Sequence, residues 1–221
     1  MIVAVYKERG LTSRAVVNEI KNKVREKKVG HGGTLDPLAS GVLVVGVSRE
    51  GTKKLHTERF NEKEYIGKIK LGEKSTTDDR EGEKEKKKAS TSDVPKVGEI
   101  EIILRRFVGD VMQIPPAYSA VKVSGKESYK LARKGFLVKH KERPVKIEKI
   151  EILSYRYPLL TIRVVTGPGV YIRSLARDIG DCLVGGGYLY SLLRTRVGGF
   201  TLENCVKIEE IPGLRDNWSR S

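Results

Sequence analysis

The segment HGGTLDPLASGVLVVGV, His31 to Val47, limits the fold more than any other stretch of the chain. Its second half, VLVVGV, is too short to span a bilayer, and its β-branched residues suit a buried strand better than a helix. Its first half is a turn. Gly32 and Gly33 let the backbone take sharp or left-handed conformations and approach a ligand closely, while Pro37 fixes φ just after Asp36. One carboxylate is thereby held in place immediately before an apolar strand. An Asp-Pro pair also opens many helices, with Asp as N-cap and Pro as first residue. The choice between the two readings rests on the rest of the chain.

Charge narrows the partners. Among 221 residues, Lys and Arg number 43 against 28 Asp and Glu, a net charge of +15. Such an excess on a folded surface binds phosphates through counterion release, so nucleic acid is the first candidate partner. Part of the Lys and Glu content also fits a protein stabilised for heat. An anionic membrane would attract the same charge, but there is neither a spanning run nor a signal-peptide pattern, and no membrane association is expected. Cys182 and Cys205 stand far apart without a Cys-x-x-Cys or His partner, which argues against a zinc site or a disulfide framework and fits a reducing cytoplasm. His31, His56 and His140 are scattered, so local spacing yields neither a metal cluster nor a Ser-His-Asp arrangement. No metal is expected.

Periodicity predicts alternating elements. Ile2 to Tyr6 reads as a strand, and Thr12 and Ser13 cap a helix whose Val16, Val17, Ile20 and Val24 recur at helical spacing. In EYIGKIKLG, Tyr65, Gly67, Ile69 and Leu71 share one face of a strand, with Glu64, Lys68 and Lys70 on the other. From Glu73 to Pro95 the chain is charged, and Lys84 to Lys88 reads as a loop or hairpin tip. Val97, Ile100, Leu104 and Phe107 form a helical stripe that Gly109 closes. After two prolines, Gln113 to Arg143 reads as an inserted, solvent-facing lobe. Its basic residues far outnumber Glu127 and Glu142, and Tyr118 and Tyr129 interleave with them. That pattern suits a surface that tracks a nucleic-acid backbone and stacks on bases, and equally a solvated helix face. LTIRVVT is a strand. GPGVYIRSLARDIGDCL opens a helix with Ile172, Leu175, Ala176, Ile179 and Leu183 on one face, leaving Arg173 and Arg177 one turn apart beside it. That pair suits a phosphate or carboxylate, or Arg177 simply bridges to Asp181.

Four blocks in order carry a resemblance. GHGGTLDPLASGVL (Gly30 to Leu43), KEYIGKIKLGEKSTTDDREG (Lys63 to Gly82), QIPPAYSAVKVSGKESYKLARKG (Gln113 to Gly135) and GVYIRSLARDIGDCL with LLRTRVGGF (Gly169 to Phe200) are similar to those of the TruB-type tRNA pseudouridine synthases. The resemblance implies an α+β pseudouridine synthase fold: a mixed, largely antiparallel central sheet flanked by helices, with an RNA-binding thumb inserted at about 113–143. It implies one catalytic domain over 1–221 without the PUA-like C-terminal RNA-binding domain of relatives. It further implies isomerisation of a uridine, that at position 55 in the T loop of tRNA, by flipping the base out, cleaving its glycosidic bond, rotating the uracil and rejoining it through carbon 5. No cofactor and no obligatory protein partner are implied. Under this resemblance Asp36 is the catalytic carboxylate, acting as nucleophile at the sugar or as the base that starts elimination. Arg173 pairs with it and Tyr65 stacks on the uracil. His31 fills the space of the extruded base, Asp79 and Tyr171 line the uracil pocket, Leu193 gives an apolar wall, and Lys7 supports the site. In the thumb, Lys122, Lys126, Lys130, Arg133 and Lys134 would hold RNA.

Two blocks depart from the family pattern. Lys7-Glu8-Arg9-Gly10 lacks the usual proline after the lysine, and Gly167-Pro168-Gly169-Val170 replaces Ser-Lys-Gly-Thr. Three other readings compete: a guide-RNA-directed catalytic subunit, which shares the Gly-Thr-Leu-Asp-Pro block; a non-catalytic RNA-binding or remodelling protein; and a glycoside hydrolase. The last needs two carboxylates across a glycosidic bond, and none accompanies Asp36 in its loop.

Overall fold

A computed structural model describes residues 1–55, 57, 60–86, 94–119, 121–123, 126–128, 131 and 140–211. In chain order its strands are β1 (Ile2–Lys7), β2 (Val29–His31), β3 (Ala39–Val47), β4 (Lys63–Leu71), β5 (Glu73–Ser75), β6 (Lys84–Lys86), β7 (Gly109–Gln113), β8 (Lys122–Val123), β9 (Lys126–Glu127), β10 (Arg143–Arg156), β11 (Leu159–Thr166), β12 (Gly187–Val197) and β13 (Phe200–Thr201). Its α-helices are α1 (Ser13–Val24), α2 (Ser48–Lys54), α3 (Val97–Arg105) and α4 (Ile172–Val184). They fall into two compact units, one of residues 1–65 with the described residues from 192 onward, the other of 66–191.

The first unit is built around β3. Antiparallel β1 pairs with it from Ile2↔Gly46 to Lys7↔Gly41, β2 pairs with its far end, and β12 lies parallel to its start, with Arg194 opposite Gly41. Apolar residues cover both faces of β3, which is why VLVVGV is continuous and not alternating. Leu43 and Val45 pack with Val5 and with Val16, Ile20 and Val24 of α1. Val42 and Val44 pack on the other side with Ala4, Leu55, Phe60 and Val197. Helix α1 starts where expected, with the Thr12 hydroxyl accepting a hydrogen bond from the Ala15 amide, one of the donors a helix start leaves unsatisfied.

The second unit takes β4 from Ile66 on, and its strand order is β4, β11, β10, β7, with β10 antiparallel to both of its neighbours. On β4 the predicted face is the buried one, Tyr65, Gly67, Ile69 and Leu71 alternating with partly exposed residues. Helix α3 packs on β10 and on α4. The paired ends Gln113 and Arg143 of β7 and β10 face each other in register. The chain therefore leaves this sheet at Gln113 and rejoins it at Arg143, directly opposite.

Several expectations need correction. Lys84 to Lys86 belong to β6, paired with β5, so part of the expected lysine loop is a hairpin strand; Lys87 and Lys88 lie outside the described residues. Val97 opens α3 but is 48% exposed, and Ile100 and Leu104 alone bury that helix. On α4, Val184 is buried in place of Leu183, which is only partly covered. The long strand β10 had no counterpart in the periodicity.

Candidate active site

The turn bearing Asp36 is fixed by its backbone. No helix follows Pro37: the chain makes a turn and enters β3 at Ala39, which removes the helix-cap reading. The Ser13 hydroxyl, buried at the start of α1, donates to the Leu35 carbonyl at 2.9 Å and accepts from the Leu35 amide at 2.8 Å. The Gly10 amide donates to the Pro37 carbonyl at 2.7 Å, and the Ala39 amide to the Asp36 carbonyl at 3.0 Å. Leu35 and Leu38, on either side of Asp36, are buried. Apolar anchors and satisfied amides thus hold a partly buried carboxylate on an otherwise irregular stretch.

Cations gather in the same unit. Lys7 ends β1 with no solvent exposure, its Nζ donating to the carbonyls of Glu8 at 3.0 Å and Leu11 at 2.7 Å. Burial pushes its pKa down to about 8, opposed by the Asp36 carboxylate and reinforced by Arg194. Lys63 donates to the carbonyls of Phe60 and Asn61, both at 3.1 Å, and burial followed by the Arg194 charge brings it also to about 8. His31 sits on β2 with Nδ1 accepting from the Gly33 amide at 3.4 Å. Burial lowers its pKa, and the charges of Arg194 and Arg14 lower it further. Tyr65 is buried on β4. Leu193 stands opposite Ser40 on β12 and is partly exposed, whereas its neighbour Leu192 is buried. The sequence reading missed Arg194, which lies in the quoted LLRTRVGGF block and is 1% exposed. The parity it shares with buried Leu192 is the signal that marks it.

In the second unit, helix α4 holds a turn and a strand end. Arg173, buried, donates to the carbonyls of Thr77 at 3.3 Å and Tyr118 at 2.9 Å, and its Nε lies 3.9 Å from Asp79 Oδ2. Asp79 Oδ1 accepts from the Thr77 hydroxyl at 2.5 Å and the Glu81 amide at 2.9 Å. Tyr171, at the start of α4, is read by the side-chain amide of buried Gln113. Its N–H donates to Gln113 Oε1 at 2.8 Å, and its carbonyl accepts from Nε2 at 3.1 Å. The Arg143 guanidinium lies 5.1 Å from the Tyr171 ring centre. Asp79 and Arg173 therefore come together, while Tyr171, two residues before Arg173, is held by Gln113, a support that was not foreseen.

Arg177 corrects another expectation. It does not bridge to Asp181, which pairs with Lys74 at 3.0 Å. It holds Asp78 at 2.8 Å, the adjacent Asp178, and the carbonyl of Ile114 at 3.0 Å. Asp78 has a left-handed backbone with φ of 58°. Burial raises its pKa against the opposing pull of Arg177. Each of the two arginines thus takes one aspartate of the Asp78-Asp79 pair. Of the thumb residues, Lys122 and Lys126 lie on the paired strands β8 and β9, while Lys130, Arg133 and Lys134 lie outside the described residues, as does His56. Among the described residues no His, Cys, Asp and Glu side chains group to hold a metal ion, and no helix is long and apolar enough to cross a membrane.

Residues 21–172 match the family described as TruB family pseudouridylate synthase, N-terminal domain. The tRNA pseudouridine synthase B of Phocaeicola vulgatus is 44% identical over 211 residues, covering 93% of this chain and 88% of its own length. That of Corynebacterium diphtheriae is 44% identical over 216 residues, covering 95% and 71%. A chain in the crystal structure of a Cbf5-Nop10-Gar1 complex superposes over 95% of this one with a TM-score of 0.71 at 30% identity. One in the archaeal box H/ACA sRNP Nop10-Cbf5 complex does so with a TM-score of 0.67 at 28% identity. This chain spans 53% and 51% of them, about half of each. The fold is that of the pseudouridine synthases, and with a family match across most of its residues and relatives 44% identical over nearly all of it, the chain belongs to the TruB family of pseudouridylate synthases.

Proposed function

We propose that the chain isomerises one uridine of tRNA to pseudouridine, the uridine at position 55 in the T loop. Asp36 is the reacting carboxylate, and Tyr65 and Arg173 are its aromatic and cationic partners in the reaction. The observation that carries this reading is the Asp36 turn, an acid whose backbone is pinned through Ser13, Gly10 and Ala39, in a chain 44% identical to a named tRNA pseudouridine synthase B. A pinned acid loses little freedom on reaching its transition state, and that pre-organisation is worth a large share of a barrier.

The chemistry is redox-neutral. In one route the ionised carboxylate attacks C1′ of the ribose as the C1′–N1 bond breaks; in the other it removes a ribose proton and elimination breaks the same bond. Either way the freed uracil turns and its C5 bonds to C1′, as the carboxylate leaves C1′ in the first route or as the proton it took returns to the ribose in the second; the C5 proton is then lost and N1 takes one up, a step the Tyr65 hydroxyl is proposed to assist. Both routes require Asp36 to be charged. The target base must leave its stack, and His31 is read as the ring that fills its space. Asp79, Tyr171 and Leu193 are read as uracil contacts, Lys7 as support, and the basic thumb as the phosphate-binding surface. The reading puts the enzyme in the cytoplasm.

Single-turnover conversion of a uridine-labelled tRNA transcript, read as pseudouridine after nuclease digestion, tests this directly. Wild-type protein is expected to convert the transcript and Asp36→Asn to bind it without converting it. Binding by both without conversion by either would make the chain an RNA binder. A second reading, a guide-RNA-directed catalytic subunit, draws on the likeness to a chain in the Cbf5-Nop10-Gar1 complex. Conversion that appears only on adding guide RNA and partner proteins would establish it.

A further inference from the structure

Arg194 is costly where it stands. It lies in β12 with 1% exposure, and the parallel register sets it against Gly41 of β3. The backbones approach so closely there that a Cβ on Gly41, whose φ is +109°, would come within 2.2 Å of the Arg194 carbonyl oxygen. Its neighbour Arg196 is an ordinary surface cation, paired with Glu62 at 2.7 Å. Arg194 has no carboxylate within ion-pairing distance among the described residues. Its hydrogen bonds go to carbonyls: Nε to Val42 at 2.7 Å and Nη2 to Gly33 at 3.1 Å. A buried guanidinium without a counter-ion is destabilising, and a leucine of the same parity would fill the space without that cost.

The two carbonyls explain the placement. Gly33 precedes the Asp36 turn and Val42 follows it, so one rigid fork closes the ends of the segment that carries the acid. The fork's geometry is something a lysine, as a flexible point charge, does not reproduce. Its charge also reaches the groups around that segment from every neighbouring element: Lys7 on β1, His31 on β2, Lys63 on β4 and Cys205 beyond β13, each of which feels it. Lys7 feels Asp36 and Arg194 together, with Glu8 adding a smaller pull.

We infer that Arg194 is a positioning residue for the reaction, clasping both ends of the Asp36 turn so that the carboxylate is presented in one geometry. It touches no substrate in this scheme and acts through Asp36. The inference rests on the reading of Asp36 as the reacting carboxylate.

The test uses the full chain and a uridine-labelled tRNA transcript, with Asp36→Asn, Arg194→Gln and Arg194→Lys measured beside wild type for binding, KM, single-turnover rate and thermal unfolding. A misplacement of about 1 Å in a reacting group costs on the order of 100-fold in rate. Arg194→Gln is therefore expected to lose about that much in rate with KM and tRNA affinity within about twofold of wild type, a pattern confined to the transition state. Arg194→Lys keeps the charge without the fork and is expected to fall between the two. If Arg194→Gln does not fold, the lysine variant carries the test: a rate equal to wild type would overturn the clasp. A folded Arg194→Gln with wild-type rate, or one that loses affinity and rate in equal measure, would also overturn the inference. Conversion by Asp36→Asn at the wild-type rate would instead overturn the reading of Asp36 itself.

Discussion

Lys7 is a lysine with no solvent exposure whose ammonium is solvated by two backbone carbonyls, and its pKa falls to about 8 because burial outweighs the attraction of Asp36. In the unfolded chain the same group titrates near 10.5. Between about 8 and 10.5 the unfolded state holds more protons on this residue than the folded one, so its contribution to stability rises with pH across that window. Below it the cost of the buried charge is present in full; above it the charge is absent from both states. The shift corresponds to roughly 3 kcal/mol. Lys7→Met removes the titration, so the stability of wild type minus that of the variant is expected to climb by about that amount from pH 8 to pH 10.5. Urea unfolding across that range measures it, and a flat difference would mean that Lys7 keeps its proton in the fold. Residues of this kind explain what the sequence concealed. Asp36 was legible because Gly32, Gly33 and Pro37 announce a constrained turn. Arg194 and Lys63 were not, because a buried cation and a solvated one read alike until the strand parity is known.

Elements were legible where one face was clean. Helix α1 carries its cap at Thr12 and its apolar residues at helical spacing, and β4 alternates without a break. Strand β10 was hidden for a physical reason: its register shifts between Ile147 and Lys149 and again between Ile152 and Ser154, so period two fails twice. Lys146, Glu148, Lys149 and Glu151 then pair with one another along its exposed side and mimic a solvated loop. The β3 to β12 contact was equally invisible, since it joins residues far apart in sequence. It can be probed at two glycines with positive φ. Gly41 (φ +109°) leaves no room for a methyl group, whereas Gly10 (φ +92°) has nothing within 4 Å of where one would sit. Gly10→Ala is expected to cost only the backbone strain, about 1–2 kcal/mol. Gly41→Ala must push two backbones apart and is expected to abolish cooperative unfolding or to cost more than about 4 kcal/mol. Equal midpoints for the two variants in thermal unfolding would refute the close approach. The hydroxyl of Ser13 gives a third measure. Ser13→Ala strips both partners from buried Leu35 and is expected to cost roughly 1–3 kcal/mol for the unpaired backbone groups.

A net charge of +15 is a property of the whole chain, and it favours a polyanionic partner without saying where that partner would bind. Location shows in the salt dependence. Lysines and arginines that touch phosphates release counterions, and each such contact adds to the slope of log affinity against log salt; charges elsewhere change the overall field with little effect on that slope. The proposed thumb makes the distinction testable. Replacing Lys130, Arg133 and Lys134 with alanine is expected to weaken tRNA binding and to make the slope shallower by about 2, if most of the three contact phosphates. Replacing Lys21, Lys27 and Lys28, exposed on or near α1, removes the same charge from the other compact unit. That control is expected to lower affinity slightly at low salt and to leave the slope alone. Titration of labelled tRNA at four or five salt concentrations gives both slopes. A thumb that only captures the RNA predicts a rate at saturating tRNA equal to wild type in both variants. Parallel slopes for wild type and the thumb variant would place the phosphate contacts on another surface, and a fall in saturating rate would mean that the thumb orients the uridine as well as capturing the RNA.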